Sequence, residues 1–490
     1  MKDRREQRNW ISRMLLGRAG TVLARAIVLV SAVITVQLAQ AQTFTTLHEF
    51  DGTDGSNPYA GLIQATDGNL YGTTSEGGAN NNSSCTGDTV GCGTFFKITP
   101  SGTLTTLYSF CAQSNCTDGA GPTAGLVQAT NGNFYGTAFS GGANGDGTVF
   151  EITPAGVLTT LHSFDGTDGE NPEGSLIQTV NGNFYGTTSG GGTSGTGTVF
   201  EITPKGTLTT LHIFCQGDCT DGAGPKGALV QAVNGNFYGT TSGGVSSGTV
   251  FEITPAGTLT TLHSFEGADG ASPFDALIQA TDGNFYGTTT QGGTSTACSF
   301  GCGTVFKITP AGTLTTLHSF ESTDGSSPYA GLIQATDGNF YGTTNGGGAD
   351  GDGTVFEITA SGTLSTVHSF DHTDGDEPFA GLVQDTNGTF YGTTEFAGNH
   401  NGTVFSVAVG LVPFVETQPT SGKVGAAVKI LGTNLTGATS VSFNGTAATF
   451  TVLSKSEITT TVPADATTGK VEVTTSKGTL KSNTKFRVTP

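Results

Sequence analysis

The sequence predicts an all-β protein, a seven-bladed β-propeller followed by a β-sandwich. A Tyr-Gly-Thr core recurs seven times, at Tyr71, Tyr135, Tyr185, Tyr238, Tyr286, Tyr341 and Tyr391. Turn chemistry divides each copy into four short strand-like segments, and the repeat stops after Val409. Among 490 residues, 77 are Gly, yet Phe, Tyr, Leu, Val and Ile return at regular intervals, which excludes disorder.

The N-terminus reads as a leader. Lys2, Arg4, Arg5, Arg8, Arg13, Arg18 and Arg25 precede the apolar run 26–36, and Ala39-Gln-Ala41 supplies small residues before Gln42. That order predicts a secretory signal peptide over residues 1–41, cleaved before Gln42. The run is short for a membrane span, so no transmembrane segment is expected after cleavage. Without the leader the chain holds 12 basic and 37 acidic residues, a net charge of −25 that disfavours nucleic acid and anionic lipid.

The repeat is clearest at residues 331–370, with strands expected at 332–335, 339–344, 354–359 and 364–370. Asp-Gly or Asn-Gly joins the first two in every copy, as at Asp337-Gly338, and predicts a two-residue type I′ hairpin with positive φ at both positions. Pro-x-Gly joins the third and fourth, as at Pro154-Ala-Gly156. Four antiparallel strands in about 50 residues make a propeller blade. The copies are offset by one strand. A fourth-strand motif, Thr46-Leu-His-Glu-Phe50, precedes the first core, and the last copy stops at Phe405 without one. Residues 43–50 are therefore expected to complete the last blade and close the ring. A parallel solenoid, suggested by the glycine-rich stretch 141–146, is rejected because that stretch occurs once per repeat instead of in a contiguous stack.

The expected domains are a propeller over 42–410 and a second domain over 411–490. The second holds 8 basic and 4 acidic residues against 4 and 33 in the propeller, and it alternates apolar and polar residues as a sandwich does. Gln418-Pro-Thr-Ser-Gly422, Val428-Lys-Ile-Leu-Gly432, Val441-Ser-Phe-Asn-Gly445 and Val462-Pro-Ala resemble an IPT/TIG domain, which implies an immunoglobulin-like fold. Asn-Phe-Tyr-Gly-Thr-Thr, Gly-Thr-Val-Phe and Leu-Thr-Thr-Leu-His-Ser-Phe resemble the GloVer tandem repeats of bacterial surface and secreted proteins, over about 43–406. That resemblance implies no defined activity.

Eight cysteines fall into four local pairs, Cys85/Cys92, Cys111/Cys116, Cys215/Cys219 and Cys298/Cys302, expected as disulfides of an exported chain. They lie between second and third strands or between blades, connections that emerge on one face and mark it as the binding face. The same face carries one aspartate per blade: Asp54, Asp118, Asp168, Asp221, Asp269, Asp324 and Asp374. These are ligand or Ca²⁺ candidates, weighed against a plain Asp-Gly turn. Calcium is the sole cofactor considered, and no other metal site is expected. His48, His162, His212, His263, His318 and His368 share one repeat position, with Tyr108 in the seventh, which argues for packing over catalysis. Gly244-Val-Ser-Ser-Gly248 matches a serine-hydrolase pattern outside a strand-to-helix elbow and is read as chance.

The expectation is a secreted or cell-surface, non-enzymatic binding, adhesion or scaffold protein whose loop face takes an extracellular protein or glycan. The alternative is a propeller enzyme, a glycan lyase or hydrolase, for which Asp371-His372 and the irregular stretch ending at His400 are the asymmetric candidates.

Overall fold

The computed structural model describes residues 42–80, 85, 91–397 and 400–489. The leader expected at 1–41 lies outside them. Residues 43–490 form one compact unit.

Seven four-stranded antiparallel sheets follow one another in chain order, six of them built from consecutive strands. The blade at 333–369 has strands Ile333–Gln334, Phe340–Thr344, Thr354–Ile358 and Leu364–Ser369. The seventh takes three strands from 383–408 and its outermost from Thr43–Glu49, which pairs antiparallel with Thr403–Ala408. The N-terminus thus supplies the strand that the last repeat lacks.

The Phe-Tyr-Gly-Thr signature follows from strand alternation, which sends Phe and Tyr to opposite faces of the innermost long strand. Six of the seven Tyr rings meet the Phe of the next blade, with ring centres 4.1 Å apart for Tyr135 and Phe184 and 4.0 Å for Tyr286 and Phe340, while Tyr391 packs with Leu70, which replaces that Phe in the first blade. Further out, the Phe ending each fourth strand packs edge-to-face on the third-strand Phe of the next blade, as Phe50 does on Phe96 at 5.3 Å. The intervening Gly is required by space. A Cβ on Gly342 would stand 2.7 Å from Phe356 and 2.9 Å from Leu332.

The Asp/Asn-Gly hairpins correct the expected turn type. Only the glycine has positive φ, +89° at Gly338, while Asp337 does not. Gly338 N donates to Ala335 O at 2.9 Å and Ala335 N donates to Asn339 O at 2.9 Å, a three-residue loop with a left-handed glycine at its end. The residue before Asp joins the loop, and the Asp337 carboxylate accepts from Asn339 N at 3.0 Å, which holds that form.

The C-terminal domain is a sandwich of two four-stranded sheets around Val415, Ile430, Val441, Phe443, Ile458, Val473 and Phe486. It sits on the hairpin face of the propeller. Ser456 Oγ donates to Thr66 O (3.0 Å), Arg487 to Val233 O (2.8 Å), Asn483 to Gln334 O (2.6 Å) and Phe414 N to Thr386 O (2.9 Å). Gln418 also donates to Gln128 O. These bonds reach blades 1, 2, 4, 6 and 7, so the sandwich straddles the ring and leaves the loop face free.

Candidate ligand-binding site

In each blade the chain enters the first strand through a Pro-X step. The prolines are buried, and the residues after them are all half-buried at the loop-face end of the channel: Tyr59, Thr123, Glu173, Lys226, Phe274, Tyr329 and Phe379. The step is held from the neighbouring blade. The threonine of Tyr-Gly-Thr donates to a carbonyl there, from 2.8 Å (Thr288 to Ala330) to 3.4 Å (Thr137 to Pro172). Thr393 of the last blade reaches Pro58 O of the first at 3.1 Å and completes the ring.

This column of the repeat varies where its neighbours do not. Four aromatics gather on one side. Tyr329 stacks on Phe379 at 4.4 Å, Phe274 meets Tyr329 edge-on at 5.1 Å, and Tyr59 meets Phe379 edge-on at 4.8 Å. Lys226 lies 4.6 Å from the Phe274 ring centre and 3.1 Å from the Glu173 carboxylate. Beside this group is a cavity of about 270 Å³, lined by Tyr59, Phe274 and Phe379 together with Glu76, Glu173, Ser75, Ser140 and Thr123. Apolar rings with a few convergent polar groups are what small-molecule and sugar sites share.

Burial raises three carboxyls at the mouth, Glu76, Glu377 and Glu395. Nearby Asp376 adds to the rise at Glu377. Burial pushes Glu395 up to about 7, helped by Glu377, Glu76 and Asp376 and opposed by a hydrogen bond from Tyr59. Asp275, on the channel wall, accepts from Gly331 N at 2.8 Å, and burial raises its carboxyl too.

Matches to the Gloeobacter/Verrucomicrobia repeat cover residues 83–300 and 246–450, well over half of the sequence. The chain belongs to this repeat family. Residues 414–488 match the IPT/TIG domain. No curated protein matches. Among solved structures, one similar chain is the extracellular domain of a protein described as a hybrid two-component system from B. thetaiotaomicron. It is 13% identical with TM-score 0.49, covering 91% of this chain and 58% of that one. Another is a fungal alcohol oxidase in complex with copper, 14% identical with TM-score 0.49, covering 91% and 99%. A third, from Bacteroides fragilis and described as a 6-phosphogluconolactonase, is 18% identical with TM-score 0.45, covering 76% and 92%. This repeat protein spans less than two thirds of the first, and none of their chemistry is carried over.

In the Gloeobacter/Verrucomicrobia-repeat chain the aspartate and histidine columns turn out to be one feature. His48 Nε2 lies 2.7 Å from Asp54, and His162, His212, His263, His318 and His368 pair in the same way with Asp168, Asp221, Asp269, Asp324 and Asp374. Tyr108 donates to Asp118 at 2.6 Å. The second oxygen of each aspartate accepts backbone N–H groups of its own turn, as Asp269 does from Glu266 N. The structure therefore engages each carboxylate within its own turn and does not gather the seven. The signal was available: five of the six pairs are six residues apart.

All four expected cysteine pairs are disulfides: Cys85–Cys92, Cys111–Cys116, Cys215–Cys219 and Cys298–Cys302. The first two converge with their sulfurs within 4.8 Å of one another, although each pair stands alone in sequence. The other two hold loops away from the mouth. Cys219 closes the turn into blade 4, where its carbonyl accepts from Gly222 N at 3.2 Å. Cys302 is fully buried beside the third strand of blade 5, and its carbonyl accepts from Ser327 N of the next junction at 2.9 Å. Of these cysteines Cys85 lines the mouth cavity, whereas Cys215, Cys219, Cys298 and Cys302 do not.

Gly244–Gly248 spans a turn in which Ser246 donates to Gly248 O at 3.0 Å. His372 and His400 come together, with ring centres 5.9 Å apart, but neither lines the mouth cavity.

Proposed function

We propose that this repeat protein is an exported, non-enzymatic binding protein that takes an extracellular glycan at the loop-face mouth of its channel. The observation that supports this reading is the Pro-X column. Its backbone is held by a threonine of the neighbouring blade in all seven junctions, while its side chains break the symmetry and cluster as rings, carboxyls and one lysine beside a cavity of about 270 Å³. Aromatic faces suit the C–H faces of sugars, and the carboxyls and hydroxyls suit their hydroxyl groups. Four disulfides support export, with residues 1–41 as leader, 42–410 as propeller and 411–490 as the docked sandwich. Among the described residues no helix is long and apolar enough to cross a membrane.

One observation favours the second reading, a glycan lyase or hydrolase. Glu395, pushed up to about 7, is a carboxyl poised to exchange a proton near neutrality. A glycan array probed with labelled residues 42–490, with and without calcium, separates the two. Saturable binding with bound glycans unchanged in mass supports the binding protein, whereas turnover or the absence of saturable binding overturns it.

A further inference from the structure

Where blade 6 meets blade 7, three side chains converge on the loop face. Asp352 comes from the loop between the second and third strands of blade 6, and His372 and Asp376 from the connection into blade 7. His372 Nδ1 lies 3.0 Å from Asp376 Oδ2, and ligand atoms of all three residues fall within 4.8 Å of one another. His400, from the facing loop of blade 7, brings a second imidazole 5.9 Å from the first, a separation that one ion bound at about 2 Å from each nitrogen can span.

The other junctions serve as internal controls. Their register is fixed by a shared backbone bond, Glu377 N to Asp352 O (3.1 Å) here and Asn171 N to Asp146 O (3.0 Å) or Ser272 N to Ser247 O (2.7 Å) elsewhere. The slot of His372 is filled by Gly52, Gly166 and Gly267 in three other blades, with φ of +84°, +76° and +88°. His372 keeps that left-handed backbone at φ +65°. A histidine thus stands in a left-handed slot that glycine fills in three blades and Ser322, at φ +50°, in another, a strain that the fold does not require a histidine to bear. The junction of blades 2 and 3 carries Asp146 and Glu170 but Gly166 in place of the imidazole, so it lacks the nitrogen ligand. His372 also differs from the six repeated His–Asp pairs, because its own blade already has His368 on Asp374 at 2.8 Å.

We propose that Asp352, His372 and Asp376, with His400 as fourth ligand, form a binding site for a divalent transition cation of the Zn²⁺ class that ties blade 6 to blade 7. Mixed imidazole and carboxylate donors select such ions over Ca²⁺ and Mg²⁺, which take oxygen ligands. The site neighbours Glu377-Pro378-Phe379, so a bound ion would brace one side of the channel mouth.

The test uses untagged residues 42–490, stripped with chelator, titrated with Zn²⁺ by calorimetry and weighed by native mass spectrometry. Wild type is expected to take one Zn²⁺. His372→Gly restores the residue of three equivalent slots and suits the backbone there, so it should fold. It is expected to weaken Zn²⁺ binding on the order of 100-fold or more. His368→Tyr, which copies Tyr108, should leave the stoichiometry intact and so exclude the repeated His–Asp pairs. Failure of wild type to bind Zn²⁺ stoichiometrically overturns the proposal, as do undiminished binding in His372→Gly and a site that takes Ca²⁺ but not Zn²⁺.

Discussion

The Tyr59 hydroxyl donates to Oε1 of Glu395 at 2.6 Å, joining residues 336 apart across the seam between the first and last blades. The acceptor is a carboxyl held up to about 7, against an ordinary value of 4.5, so the folded protein keeps a proton there that the unfolded chain releases. The stabilisation from this group is fully present below about 4.5 and is lost as pH rises through about 7. Glu395→Gln keeps an acceptor for Tyr59 and removes the titration. The difference in melting temperature between pH 5 and pH 8 should therefore be smaller in the variant than in wild type, and equal differences would remove Glu395 from the account.

In six blades the second threonine after Tyr-Gly bonds a third-strand threonine, as Thr74 does Thr94 at 2.9 Å. The second blade has Ala138 instead, and the Thr148 hydroxyl is left buried without a partner. Ala138→Thr should restore the pair and stabilise the protein by about 1 kcal/mol, read as a higher denaturant midpoint at constant slope.

The aspartate of each blade is expected to act on stability. His318→Tyr should be nearly neutral, since Tyr108 already holds Asp118 in this way. Asp324→Ala removes the partner of both His318 and Glu321 N and should cost about 1–3 kcal/mol in chemical denaturation.

Ring closure rests on the N-terminal strand. Phe50, fully buried against Phe96, should cost about 3–5 kcal/mol when changed to Ala. Phe300→Ala, at a position 76% exposed, should be neutral by the same measurement.

Blade number, strand order and the closing strand could be read because each is written seven times, and the offset of one fourth-strand motif locates the seam. The disulfides could be read from spacing alone, since Cys215 and Cys219, like Cys298 and Cys302, stand four residues apart with no other cysteine near them in the chain. The hairpin type was misread because the threonine or valine before Asp/Asn-Gly enters the loop, which the dipeptide alone does not reveal. The docking of the sandwich could not be read at all. On the propeller it uses the carbonyls of Thr66, Gln128, Val233 and Gln334, and main-chain acceptors leave no mark in side-chain pattern. The mouth was missed for the opposite reason. Repeated residues draw attention, whereas the candidate site is the column that fails to repeat, Tyr59 through Phe379. The pairing of His372 with His400 needed the two loops of one blade to be folded against each other.

The most direct test of the mouth as binding site is a calorimetric titration of the strongest array glycan into wild type and Phe379→Thr. Threonine already occupies this column at Thr123, so the variant should fold, with only the modest loss of melting temperature that the missing ring contacts to Tyr329, Tyr59 and Phe274 imply. The account predicts at least a tenfold loss of affinity, with Leu453→Ala, an exposed position of the sandwich, unchanged. Undiminished affinity in Phe379→Thr would contradict it.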